Sequence, residues 1–169
     1  DHRTQEDVWK KMSDVIDHAI AGYNTTIFAY GQTGSGKTHT LFGPEAEDFT
    51  GPNRGIIPRA ISSLLAKLAG SKAAVYCSFL QIYNEELFDL LRDPRMKHSL
   101  EIRQDASGDI YVDGLSQFPV TTTAEAMSLL DEGICNRATR STHMNQVQSR
   151  PLLRIVHTLP GEELNGLMM

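Results

Sequence analysis

The chain has 169 residues, 40% hydrophobic and 22% charged, with a formal net charge of −5, which is enough for one globular domain with a real core. That charge excludes a generic pull toward nucleic acid or an anionic membrane. Cys77 and Cys135 have no metal-ligand spacing, no apolar run reaches spanning length, and the first residues carry no signal-peptide pattern, so the expected setting is cytosolic, soluble and reducing.

Residues 1–6 are polar, and Val8, Met12, Val15 and Ala19 then recur at helical spacing beside a stripe of Trp9, Ile16 and Ile20. This predicts one amphipathic helix that packs Trp9 and Met12 into a core and ends at Gly22 and Asn24. Residues 25–30 are rich in β-branched and aromatic side chains and read as a short buried strand. The strand runs into a glycine-rich turn and a helix. Gly31, four residues (Gln32, Thr33, Gly34, Ser35) and then Gly36-Lys37-Thr38 make the phosphate-loop pattern. At ordinary residue frequencies, one start position matches it at ~4 × 10⁻⁵. The glycines let backbone N–H groups close around a polyphosphate, where side chains would block the approach. The amides opening the helix add the positive end of its dipole. Lys37 supplies a mobile cation for the outer phosphates, and the Thr38 hydroxyl is a hard oxygen ligand for magnesium.

Residues 42–54 carry Gly43, Pro44, Gly51 and Pro52 around acidic Glu45, Glu47 and Asp48, an exposed loop interrupting a helix. Ile57, Ile61, Leu64, Leu65 and Leu68 resume the helical stripe, which Gly70 ends. Residues 73–83 are mostly apolar and read as a central strand. Residues 84–91 are amphipathic; Glu85, Glu86 and Asp89 have no neighbouring His or metal-ligand partner and read as a solvated, charged face. Residues 100–103 and 110–112 look like two strands of a hairpin. Thr122-x-x-Glu125 is a capping box opening a helix through Met127, Leu129, Leu130 and Ile134. Residues 133–161 hold no acidic side chain but include Arg137, Arg140, Arg150 and Arg154. A last strand is expected over 152–158, before Pro160-Gly161 and an apolar end.

With these residues in view, the chain resembles the kinesin motor domain. Residues 22–40, Gly-Tyr-Asn-Thr-Thr-Ile-Phe-Ala-Tyr-Gly-Gln-Thr-Gly-Ser-Gly-Lys-Thr-His-Thr, match the kinesin loop nearly letter for letter. Gly55-Ile56-Ile57-Pro58-Arg59-Ala60, then residues 79–91, then Asn136-Arg137, Thr142 and Met144-Asn145 follow in the family's order. The likeness covers roughly residues 5 to 150. It implies an α/β, three-layer phosphate-loop NTPase fold, with a mainly parallel central sheet, helices on both faces and the nucleotide at the carboxyl ends of the strands. It also implies ATP or ADP with Mg2+ as ligands, held by Gly31, Gln32, Thr33, Gly34, Ser35, Gly36, Lys37 and Thr38, with His39 stacking on the base. The 100–112 hairpin would lie in a lobe that touches tubulin.

In kinesins a first switch runs Asn-x-x-Ser-Ser-Arg-Ser-His. The matching residues here are Asn145-Gln146-Val147-Gln148-Ser149-Arg150-Pro151-Leu152. The resemblance implies that Ser149 is a second magnesium ligand and that Ser149 and Arg150 are catalytic, Arg150 pairing with a glutamate of a second switch. Gln148 cannot relay a proton as a serine can, and Pro151 fixes φ in a segment that has to open and close. No second-switch run Asp-Leu-Ala-Gly-Ser-Glu and no opening Arg-x-Arg-Pro is found. The triplet before Asp113-Gly114 mimics the former, but the resemblance puts Asp113 in the hairpin. The expectation is therefore a partial motor domain over 1–169, incomplete at both ends, with unpaired sheet edges. Its expected activity is that of a microtubule-stimulated ATPase, in the cytoplasm on the microtubule cytoskeleton, with no nucleic-acid or membrane partner. The alternative is a nucleotide-binding or tubulin-interacting module without motor activity; a small-substrate kinase lacks any acceptor site or lid.

Overall fold

The computed structural model describes residues 3–44, 49–93, 95, 99–106, 108, 110–141, 150–158 and 165–169, with the side chains of 138–141, 150, 157–158 and 165–168 excepted. Its centre is β2 (Ala74–Tyr83), the expected apolar strand. Nearly all of one β2 edge pairs antiparallel with β7 (Arg150–Thr158), from Ala74 opposite Thr158 to Ile82 opposite Arg150. The other edge is shared end to end by β3 (Glu86–Asp89) and β6 (Phe118–Val120). Beyond β7 lies β8 (Asn165–Met168), antiparallel to it, and then β1 (Thr25–Thr26), parallel to β8. Alternation along β2 places Val75, Cys77 and Phe79 on one face, where they join Leu153 and Ile155 of β7 in the main core.

One part of the architectural expectation is corrected. Among the described pairs only β1–β8 is parallel. The sheet is mainly antiparallel: β7 runs antiparallel to β2 along almost its whole length, and β3 returns on β2 through a short reversal. Between β2 and β3 the reversal is Asn84–Glu85, with φ of +48° and +66°, the double positive φ of a two-residue hairpin turn. The described residues do not test the three-layer expectation. The helices α1 (Gln5–Lys10), α2 (Val15–Ile20), α3 (Lys37–Phe42), α4 (Ile56–Leu68) and α5 (Thr123–Ser141) are connected through α4, which packs against each of the others. The described helices thus form one connected layer, and a second helical layer is not among them.

α4 holds this layer together because its apolar stripe is wide. Ile56, Ile57, Ala60, Ile61, Leu64 and Leu68 are all buried, and burying each large one is worth about 1.5–3 kcal/mol. The single helix expected over the first twenty residues is two. Met12 N–H donates to Trp9 C=O (3.0 Å) and Val15 N–H to Met12 C=O (3.1 Å); these tight turns fall where Ser13 and Asp14, weak helix formers, follow one another. Trp9 and Met12 nonetheless pack on the core as the stripe predicts.

The strand expected over 25–30 is also shorter than its composition suggests. Among the described residues β1 pairs with β8 alone, and the pairing runs out with Met168 opposite Thr26. Past that point Ile27 is buried, but Phe28 is 78% and Tyr30 95% exposed. In the 84–91 segment Glu85 and Glu86 are exposed as read, whereas Asp89 is buried. Its carboxylate accepts from the N–H groups of Leu91 (2.9 Å) and Ser116 (2.8 Å) and faces Arg92 at 3.6 Å. Asp89 is a structural anchor, closing the loop after β3 onto the segment before β6.

The hairpin forms as expected, as β4 (Glu101–Gln104) and β5 (Ile110–Asp113) in a sheet of their own. Asp113 sits there, 3.0 Å from Arg103. The capping box also forms. Glu125 N–H donates to Thr122 Oγ1 (3.2 Å), while Glu125 Oε2 accepts from Thr121 N–H (2.8 Å), Thr121 Oγ1 (2.9 Å) and Thr122 N–H (3.3 Å). Those bonds, from Thr121 first, hold the Glu125 carboxyl below its ordinary value. Glu45, Glu47 and Asp48 of the surface loop lie outside the described residues. The loop's base is closed by backbone: Gly55 N–H donates to Phe42 C=O at 3.1 Å.

Candidate phosphate-binding site

The turn from β1 into α3 has the shape the motif calls for. Gly36 caps α3 at φ +87° and Gly34 lies at φ +81°, left-handed conformations that glycine adopts without strain. A Cβ at either would meet nothing within 4 Å, so the space beside them is open. At Gly31 a Cβ would come within 2.5 Å of Ser35 Oγ. The turn closes through Ser35 N–H to Gln32 C=O at 3.2 Å.

Lys37 Nζ donates to the carbonyls of Gly31 (2.9 Å) and Gln32 (2.8 Å). Its positive charge is therefore held across the loop rather than extended into solvent. Thr38 follows on the first turn of α3 and borders a cleft of about 790 Å³ between the loop after α3 and α5. Phe42, Phe49, Met127 and Ile134 give the cleft apolar walls, and Asp131 and Arg137 are its charged members. Desolvation lowers the Arg137 pKa from its ordinary value. His39 is exposed one residue past Thr38, and Gln5 of α1 reaches it: Gln5 Nε2 lies 2.6 Å from His39 O and 3.1 Å from His39 Nδ1.

Sheet topology bears on the other candidates. Thr26 pairs with Met168, and Met168 with Arg154, so the start of β7 lies toward the sheet end from which the phosphate loop springs. Arg150 opens β7 opposite Ile82 at that end. Ser149, with Thr142, Met144, Asn145 and Gln148, lies outside the described residues. Pro151 is tolerated because, among the described residues, pairing on that side of β7 begins at Leu153 with Met169, leaving no ladder partner at 151.

Neither Gln5 nor Glu6 stands out in the sequence. Glu6 pairs with Arg59, a residue of α4 only 7% exposed, which also donates to Arg54 C=O (3.0 Å) and Pro52 C=O (2.7 Å). Both reach partners far along the chain, so no local pattern could reveal them. The Thr4–Asp7 capping box that orients them was legible in principle, since Thr4 precedes the apolar stripe and Asp7 stands three residues on.

A glycine cradle joining a strand to a helix, with Lys and Thr at the helix start, defines a protein of the phosphate-loop NTPase class. The family model of the kinesin motor domain matches residues 1–157. The chain is 38% identical over 161 residues to Kinesin-like protein KIN-12B of Arabidopsis thaliana, covering 87% of this chain and 12% of that protein. It is 40% identical over 157 residues to human Kinesin-like protein KIF15, with 87% and 11% covered, and 40% over 153 residues to Kinesin-like protein Klp98A of Drosophila melanogaster, with 87% and 12%. The chain belongs to the kinesin motor-domain family. It spans about an eighth of the length of these relatives.

Proposed function

We propose that this chain is the phosphate-loop part of a kinesin-like, ATP-dependent microtubule motor, and that it binds Mg-ATP and Mg-ADP. The observation that carries the reading is the loop itself: open space beside Gly34 and Gly36, with the Lys37 ammonium on the carbonyls of Gly31 and Gln32. A triphosphate entering this cradle meets the backbone amides of residues 31–38, and Lys37 exchanges its carbonyl partners for phosphate oxygens. His39 lies against the base.

Magnesium, when bound, would supply charge neutralisation at the phosphates. No cluster of three or more His, Cys, Asp or Glu side chains that could hold a metal ion occurs among the described residues. Thr38 and Ser149 would supply the chain's hydroxyl ligands to the ion. In this reading Ser149 and Arg150 also organise the attacking water. Gln148 and Pro151 replace the residues that would relay a proton and let the switch move, so turnover by this chain is slow. The same two residues favour a second reading, a nucleotide-binding or tubulin-interacting module without motor activity.

Phosphate release from Mg-ATP, measured with and without microtubules, decides between them. The motor reading expects release that microtubules accelerate. Nucleotide binding with no release above the buffer rate, microtubules present, would replace it with the module.

A further inference from the structure

We infer that Gln5 is a positioning residue of the nucleotide site, fixing the ring and tautomer of His39 from the first turn of α1. The inference rests on the reading of residues 31–39 as that site. Its geometry starts from a carbonyl. His39 O can only accept, so the Gln5 side-chain atom 2.6 Å from it must be the amide nitrogen; the opposite rotamer would set two oxygens face to face. That nitrogen carries two hydrogens. One is used by the carbonyl, and the other faces His39 Nδ1 at 3.1 Å. Nδ1 is then the acceptor, and the neutral imidazole carries its proton on Nε2.

Gln5 is itself held in place. It is the first residue of α1, whose start is fixed by the reciprocal bonds of Thr4 with Asp7: Thr4 N–H to Asp7 Oδ2 at 2.9 Å and Asp7 N–H to Thr4 Oγ1 at 3.2 Å. The next residue, Glu6, is tied to the buried guanidinium of Arg59. Two consecutive side chains of one helical turn thus brace α1 against α3 and α4. His39 is otherwise exposed, and a solvated imidazole would turn freely about χ1 and χ2. The double contact from Gln5 removes that freedom, so a base meets a ring already oriented.

The test uses the whole chain with Gln5→Leu, which keeps the aliphatic stem and removes both donors. In long-range proton–nitrogen spectra, His39 of the unsubstituted chain should show an unprotonated, hydrogen-bonded Nδ1 and a protonated Nε2. Gln5→Leu should lose that pattern. Binding of Mg-ATP should weaken about threefold to tenfold, while binding of Mg-tripolyphosphate, which has no base, should stay within about twofold. In a His39→Ala background the Gln5→Leu effect on Mg-ATP should largely disappear. A proton on Nδ1, an unchanged spectrum in Gln5→Leu, or equal weakening of both ligands would overturn the inference and leave the phosphate loop standing. Binding of neither ligand by the unsubstituted chain would overturn the nucleotide reading, and this inference with it.

Discussion

Glycine serves opposite purposes at two places in this molecule. In the phosphate loop, Gly34 and Gly36 have positive φ and empty surroundings; in the proposed function that space takes a polyphosphate. At Gly55 and Gly133 the backbone is ordinary and the space is already taken. A Cβ on Gly55 would lie 2.6 Å from the Phe42 carbonyl carbon and closer still to Leu41 O, and one on Gly133 would lie 2.7 Å from Phe79 Cε1. On the proposed function the first pair serves a ligand, whereas the second serves the fold. The difference separates substitutions that abolish binding from those that abolish folding, within one residue type.

The comparison breaks first, if it breaks, at Gly55→Ala. The obstructing atoms are backbone, which cannot rotate away, so a stability loss of about 3 kcal/mol is expected from urea unfolding. Gly133→Ala meets a ring that can tilt, and the better helix propensity of alanine offsets part of the cost; a loss of about 1–2 kcal/mol is expected. Gly34→Ala collides with nothing and carries only the left-handed penalty, about 1–2 kcal/mol at most, yet it should weaken polyphosphate binding more than either of the others. A Gly34→Ala chain that binds Mg-tripolyphosphate normally would show that the open space is not a ligand's.

A smaller effect sharpens the contrast at the start of α5. Glu125 is held below its ordinary value of 4.5 by bonds from Thr121 and Thr122. A carboxyl depressed in the folded state contributes stability that is present above the unfolded pKa and lost as pH falls through the folded one. The melting temperature should therefore drop on acidification below about pH 4.5, and Glu125→Gln should flatten that part of the profile without touching nucleotide affinity.

What was legible in the sequence was local. The phosphate loop, the α4 stripe, the β4–β5 hairpin and the Thr122–Glu125 box each lie within a few consecutive residues whose chemistry dictates a conformation. The misread segments depend on distant partners. β1 stops at Thr26 because of the register with β8, some 140 residues on. β8 itself, four residues of an undistinguished apolar end, forms only because β7 and β1 flank it. Asp89 is buried because Ser116 N–H needs an acceptor. The turn at Asn84–Glu85 was the nearest miss, since asparagine is a common first residue of such turns. For the site, the cradle residues were all visible, whereas Gln5 became visible only when α1 was placed beside α3.

The central claim is that residues 31–38 bind the phosphates of a nucleotide, and a fluorescence titration with labelled ATP and ADP, with and without magnesium, tests it most directly. The account predicts saturable, magnesium-dependent binding that Lys37→Ala weakens tenfold or more, about 1.4 kcal/mol, with the urea midpoint unchanged because Lys37 is held only by two surface carbonyls. Equal affinity in the folded Lys37→Ala chain would contradict it.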